Sequence, residues 1–158
     1  MRIGVLCGNM GIDIKLYTSH NLDDGYSTII DGKPTIYINS NAAISRQRFT
    51  AAHELGHILL GHVGEYQLIN REPDPRDNPI ETAANIFASR LLAPACVLWG
   101  CNAKTVEDIM KLCDISRKAA EYRIERMKDL YKINKFFTSN LEKQVYEQFK
   151  DYIKKNKL

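Results

Sequence analysis

The chain has 158 residues, of which 44% are hydrophobic and 26% are charged, and its formal net charge is +3. This length suits one compact domain or a core with a small appendage, and the composition is that of a soluble globular protein. The small positive charge does not by itself indicate nucleic acid, because the excess lies in a lysine-rich C-terminal segment typical of a solvated helix. With no long apolar run and no secretory signal pattern, the cytosol is the expected compartment.

The first part of the chain predicts a small antiparallel sheet. Residues 12–17 alternate apolar and polar side chains, as a half-buried strand does. Residues 26–39 predict a hairpin, because Asp31 and Gly32 form a favoured two-residue turn between runs of β-branched and aromatic residues.

Two helices are predicted next. Apolar side chains recur at helical spacing over residues 44–60, and glycines follow the run. Three prolines in residues 71–79 predict a loop. Residues 78–94 then predict a helix, with Asn78 as the N-cap and Pro94 at the end.

The last third of the chain predicts further helices. Residues 104–127 have the pattern of helix, short turn and helix, with Thr105 and Ser116 as the N-caps. The lysine-rich sequence after residue 130 indicates a polar helix or a tail. The expected organisation is therefore a first domain over residues 1–100, a helical segment packed on it over 101–130, and a C-terminal part over 131–158.

The stretch "RFTAAHELGHILLGH" carries an H-E-x-x-H pattern formed by His53, Glu54 and His57. On a helix, residues four apart project side by side, so both histidines can bind one ion while Glu54 reaches a water on that ion. The alternative is a surface helix with two solvated histidines. The apolar flanks and the small residues Ala51, Ala52 and Gly56 favour a buried helix that packs closely against whatever carries a third ligand.

Glu81 is the best candidate for that third ligand. It lies on the apolar stripe of its predicted helix, where a carboxylate is costly to bury unless it is paired or bound to a cation. The sequence equally allows Glu81 to be part of a capping box with Asn78. Asn85, one turn later, could hydrogen-bond the site or be a surface amide. His62 sits one residue too early for the metzincin spacing and is expected to end the helix.

The four cysteines form no C-x-x-C pair and are expected to be reduced and packed. A structural zinc site would need four protein ligands, for which Cys96 is a candidate fourth. Since only three ligands are evident, an open catalytic site is favoured over a structural one.

The joined motifs "FTAAHELGHILLGH" and "ETAANIFASRLLAP" resemble the ImmA/IrrE family of zinc metallo-endopeptidases, which carry H-E-x-x-H and E-x-x-A-N-x-F-A-x-x-L-L-x-P on successive helices. The resemblance covers residues 26–127. The region before residue 12 is shorter than in many members, and Ala83 stands where an acidic residue is common.

This resemblance implies an α+β, zincin-like fold of the minimal gluzincin kind, with a small antiparallel sheet, the two motif helices and a helix-turn-helix-like segment. It implies that His53, His57 and Glu81 hold Zn²⁺ and that Glu54 is the general base. It also implies cleavage or inactivation of a helix-turn-helix repressor, often one encoded on a phage or mobile element.

Two further points stay open from the sequence. The donor that stabilises the oxyanion could be any of four side chains, namely Tyr26, His62, Tyr66 and Arg90. The protein could instead act by binding alone, as an antirepressor or as a DNA-binding regulator. In the latter case four basic residues of the helix-turn-helix-like segment would face phosphates, namely Arg117, Lys118, Arg123 and Arg126.

Overall fold

A computed structural model describes residues 2–20, 24–64 and 78–158. The chain forms two compact units, Met1–Ala88 and Ser89–Leu158. The first unit combines a sheet with helices and the second is helical, so the predicted α+β class is confirmed. The predicted division at residues 100 and 130 stays a prediction, and residues 71–77 of the predicted loop lie outside the described residues.

The first unit begins with a helix that the sequence did not predict. Its elements in chain order are α1 (Ile3–Asn9), β1 (Asp13–Tyr17), β2 (Gly25–Ile30), β3 (Lys33–Asn39), α2 (Ile44–Leu59) and the beginning of α3 (Pro79–Leu92). Helices α2 and α3 lie within two residues of their predicted limits, as caps and glycines lead one to expect.

The sheet is mixed rather than antiparallel. Strands β2 and β3 form the predicted hairpin, with Asp31 and Gly32 at φ 49° and 76°, as a type I′ turn requires. Strand β1, however, pairs with β3 in parallel, and the strand order is β1-β3-β2. The predicted antiparallel sheet is therefore wrong for β1, because alternation identifies a strand but does not specify its neighbour.

Helix α2 packs on β2 and β3, and α1 packs on β1 and α2. Ile36 and Leu55 are fully buried in this core. Gly25 permits the close approach of β2 to both β3 and α2, because a Cβ at this position would collide with the backbone oxygen of Tyr37 and lie 2.6 Å from Thr50 Cγ2. The sheet therefore lies directly against the helix that carries H-E-x-x-H.

The second unit contains five helical elements after the end of α3, namely α4 (Ala95–Gly100), α5 (Val106–Cys113), α6 (Arg117–Ile133), α7 (Asn140–Gln148) and α8 (Lys150–Lys155). The predicted caps are confirmed: Thr105 accepts a hydrogen bond from Asp108 N, and Ser116 accepts one from Ala119 N. The lysine-rich end is helical, and Ile153 packs with Cys96, Val97 and Cys101 in an apolar core.

The pair α5 and α6 does not confirm a DNA-binding helix-turn-helix. Arg123 is only 5% exposed, and its Nε donates to Ala93 O at 2.6 Å. Burial lowers the pKa of Arg123 to about 10. Arg117 is exposed but pairs with Glu107 at 2.7 Å. Arg123 therefore faces the interior of its unit and not phosphates, and the expected basic face loses one of its four members.

The stretch Pro79–Gly100 is long and apolar enough to cross a membrane by length and composition, with a mean hydropathy of 1.3. The core helix of a globular protein meets the same criterion, and 39% of the most apolar 18-residue window of this stretch is buried. The finding is therefore weak evidence for a membrane span.

Candidate metal centre

Two imidazoles from α2 and one carboxylate from α3 converge in the first unit. His53 Nε2 lies 2.9 Å from His57 Nε2. Glu81 Oε2 lies 3.2 Å from His53 Nε2, and Glu81 Oε1 lies 3.2 Å from His57 Nε2. One possible ligand atom from each residue falls within 4.8 Å of the others. The side chains that the sequence proposed as metal ligands are thus brought together, although their role as ligands stays a prediction.

The approach of α3 to α2 depends on Gly56. A Cβ at this position would lie 3.0 Å from Phe87 Cδ1 and 3.3 Å from Phe87 Cβ, tighter than ordinary van der Waals contact. Because Phe87 is on the helix that carries Glu81, the absence of a side chain at Gly56 lets the carboxylate reach the histidines. The sequence-based expectation that small residues on α2 allow close packing is confirmed here.

The start of α3 is capped by Asn78, whose Oδ1 accepts from Ile80 N at 2.9 Å and from Glu81 N at 3.4 Å. This cap is the predicted one. Both carboxylate oxygens of Glu81 face imidazole nitrogens, so its side chain is engaged with the histidines rather than directed only to the helix terminus.

The electrostatics of the cluster fit a cation. Hydrogen bonds from His53 and His57 hold the pKa of Glu81 far below its usual range. Burial lowers the pKa of His53, but Glu81, Glu54 and Asn85 together outweigh it, and the net shift is upward. The lone pairs of two imidazole nitrogens and a carboxylate repel one another at these distances unless a proton or a metal ion lies between them. Nitrogen and oxygen donors in this number fit a metal of the zinc kind.

The Nδ1 nitrogens of His53 and His57, which do not face the cluster, each lie close to another side chain. His53 Nδ1 lies 3.0 Å from Asn85 Oδ1 and donates to this acceptor, so in the neutral, metal-binding ring Nε2 would keep its lone pair toward the cluster. The predicted contact of Asn85 with the site is therefore present. His57 Nδ1 lies 3.1 Å from His62 Nδ1. The sequence analysis placed His62 at the helix end and among the candidate oxyanion donors, but it missed this contact.

Glu54 lies between the two histidines in sequence and is 8% exposed. Ser27 Oγ, on β2, donates to Glu54 Oε2 at 2.7 Å. The charge of Glu54 contributes to the raised pKa of His53, the next residue of α2 toward the N-terminus. Ser27 was not predicted, and no short-range signal could have found it, since 27 residues separate the two partners.

The other candidates have different surroundings. Tyr26 is 49% exposed and stacks on Tyr37 with ring centroids 4.9 Å apart. Arg90 is exposed on the part of α3 in the second unit. Cys96 is buried in the apolar core of that unit, which gives no support to its role as a fourth zinc ligand. Tyr66 lies outside the described residues.

Residues 7–125 match the sequence pattern of the IrrE N-terminal-like domain, a peptidase family. The chain is 28% identical over 131 residues to the radiation response metalloprotease IrrE of Deinococcus radiodurans, covering 76% of this chain and 38% of that protein. It is 33% identical over 100 residues to the protein of the same name from Deinococcus deserti, covering 56% and 35%. The chain thus spans little more than a third of the length of these relatives.

Proposed function

This chain belongs to the family of IrrE N-terminal-like domains, and on that premise we propose that it is a zinc-dependent endopeptidase acting on a specific protein. The observation that carries the proposal is the convergence of His53, His57 and Glu81 beside a buried Glu54. Three protein ligands leave a coordination position open, which is the arrangement of catalytic rather than structural zinc.

Zinc held by such a ligand set supplies Lewis acidity toward water and toward a carbonyl oxygen. The protein's part in the chemistry falls to Glu54. Its carboxylate accepts a proton from the attacking water and returns it to the leaving amine. Because Ser27 donates to Oε2, we assign proton transfer to Oε1. Asn85 contributes by holding the ring of His53 in one tautomer.

For the substrate we propose a helix-turn-helix repressor, of a phage or mobile element, and for the compartment the cytosol. The support for the substrate is the resemblance of the two joined motifs to the ImmA/IrrE family. The cysteines at positions 7, 96, 101 and 113, all in the described part of the chain, form no disulfide, which is in keeping with a reducing compartment.

A comparison of wild type with Glu54→Gln tests the proposal. Both proteins, purified and loaded with zinc, are incubated with a cytosolic extract of the source cells, and new protein N-termini are labelled and sequenced. We expect both to bind about one zinc per chain. Only wild type should produce new N-termini, concentrated in a helix-turn-helix protein.

The experiment distinguishes failure of the role assigned to Glu54 from failure of the endopeptidase proposal. If Glu54→Gln produces the same N-termini as wild type, Glu54 is not the general base. If both proteins bind zinc and neither produces any new N-terminus, the endopeptidase proposal is refuted. That outcome would favour the alternative, in which the protein acts by binding alone.

A further inference from the structure

The contact between His57 and His62 is built by the end of helix α2. Gly61, at φ 74°, follows the last helical turn, and its N–H donates to Ile58 O at 3.2 Å. The next N–H, that of His62, donates to His57 O at 2.9 Å. These two bonds form a Schellman motif, in which the second residue after the cap is turned back over the last turn of the helix.

The motif places the two rings in contact. The ring centroids of His57 and His62 are 5.2 Å apart and the rings are inclined by 65°. The atoms that meet are the two Nδ1 nitrogens, at 3.1 Å. Nitrogens at this distance share a hydrogen, so one imidazole donates and the other accepts.

The surroundings of His57 Nε2 determine which ring donates. This nitrogen faces His53 Nε2 and Glu81 Oε1, and a lone pair is what a metal in the cluster requires. A neutral imidazole with its lone pair on Nε2 carries its hydrogen on Nδ1. With a metal in the cluster, His57 therefore donates from Nδ1, and His62 Nδ1 accepts.

We infer that His62 is a positioning residue of the metal centre, which holds His57 in the ligating tautomer and ring orientation through its Nδ1. The inference rests on the proposed function, because it needs a metal on the cluster. With this role for His62, each of the two histidines has a partner that holds its Nδ1. His53 is held by an amide oxygen from α3, and His57 is held by an imidazole from the turn that follows α2.

A purely structural role is the competing explanation. Schellman motifs often include an apolar contact between the residue at the position of His62 and the one at the position of His57. Under that explanation the ring of His62 matters and its nitrogen does not. Two substitutions separate these roles: His62→Phe keeps a ring without an acceptor, and His62→Asn keeps an acceptor near the position of Nδ1 without the ring.

The test measures zinc affinity of the full chain by competition with a chromophoric chelator, after metal has been removed. We expect His62→Phe to bind roughly 10- to 100-fold more weakly than wild type, the usual cost of losing the outer partner of a ligating histidine. His62→Asn should recover most of this loss. His20→Asn is the matched control, since it removes an exposed histidine elsewhere, and its affinity should equal that of wild type.

A spectroscopic readout accompanies the affinity. In the zinc-loaded protein, the Nδ1 hydrogen of His57 should be observed by nitrogen-15 NMR in wild type and in His62→Asn. It should be broadened or lost in His62→Phe. Thermal unfolding of the metal-free proteins shows whether each variant folds. His62→Leu, which also lacks an acceptor, replaces His62→Phe if the latter is unfolded.

Glu81→Ala separates failure of the inference from failure of the proposed function. If Glu81→Ala has lost zinc while His62→Phe binds as tightly as wild type, the positioning role is overturned and the metal centre stands. A wild type that binds no zinc, or binds it no better than Glu81→Ala, refutes the metal centre formed by His53, His57 and Glu81, and the role of His62 in that centre with it.

Discussion

Replacement of Gly56 by alanine tests whether the missing side chain sets the distance between α2 and α3. The new Cβ would lie 3.0 Å from Phe87 Cδ1 and 3.3 Å from both Phe87 Cβ and Cγ. Carbon atoms prefer about 3.5–4.0 Å, so relief requires a movement of roughly 0.5 Å at Phe87 Cδ1 and of roughly 0.2 Å or more at Phe87 Cβ. Rotation of the Phe87 ring cannot supply all of it, because Phe87 Cβ is fixed to the backbone of α3.

Two opposing effects determine the change in the free energy of unfolding of Gly56→Ala. Alanine is favoured over glycine inside a helix by about 1 kcal/mol. Insertion of a methyl group into a packed contact costs about 1–3 kcal/mol. The expected change in the free energy of unfolding of Gly56→Ala is therefore between about zero and a loss of 2 kcal/mol.

The effect on metal binding should be larger than the effect on stability. Metal–ligand distances tolerate deviations of only about 0.2 Å, so a shift of roughly 0.2–0.5 Å at α3 moves Glu81 to the limit of the usable range or beyond it. Urea unfolding in the presence of chelator measures stability, and competition titration with zinc measures affinity. We expect weakened zinc binding in a variant that still folds.

Gly8→Ala is the matched control. Gly8 lies in helix α1, and nothing is within 4 Å of the Cβ that alanine would add. This variant should gain up to about 1 kcal/mol of stability and keep its zinc affinity. If Gly56→Ala gains as much stability as Gly8→Ala and also keeps its zinc affinity, the close contact with Phe87 does not set the geometry of the site.

Two further predictions concern the buried hydrogen bond of the site and a helix cap remote from it. Ser27→Ala removes the donor to Glu54 and should lower the free energy of unfolding by about 1–3 kcal/mol, whereas Ser27→Thr keeps the hydroxyl and most of the stability. Equal unfolding midpoints for the two variants would show that this bond contributes nothing. Backbone hydrogen bonds from Ser139 and Thr138 lower the pKa of Glu142 below its ordinary 4.5, so its stabilising effect is present above pH 4.5 and lost as the pH falls through the lowered value. Glu142→Gln should therefore be less stable than wild type at neutral pH and should converge with it in acid, while a constant difference across the pH range would contradict this.

The sequence predicted those features that rest on short-range signals. Asn78 and Pro79 predicted the start of α3, and Asp31 with Gly32 predicted the hairpin turn, because caps and turns depend on neighbouring residues alone. Helix α1 escaped prediction since two of its seven residues are glycine and its N-cap makes no side-chain hydrogen bond. The parallel pairing of β1 with β3 joins residues more than 20 positions apart, which no local pattern encodes.

The DNA-binding alternative that the sequence left open had a contrary signal in the sequence itself. In that alternative Arg123 would face phosphates, yet it lies three residues after Ala120 and four before Met127, both fully buried. Positions at this spacing share one face of a helix, so Arg123 belongs to the buried stripe of α6. Charge alone suggested exposure, whereas periodicity indicated the interior, where a backbone carbonyl accepts from the guanidinium.

The motif residues alone do not make the site, because two of its contacts depend on glycines outside the set of ligands. At Gly25 a side chain would collide with the backbone oxygen of Tyr37 on β3 and with Thr50 on α2, which would displace the strand from which Ser27 reaches Glu54. At Gly56 a side chain would push α3 away and withdraw Glu81 from both histidines. A chain with H-E-x-x-H and a downstream glutamate but with large residues at these two positions would therefore carry the ligands without the geometry. A search for such sites should weigh the small residues as heavily as the metal ligands.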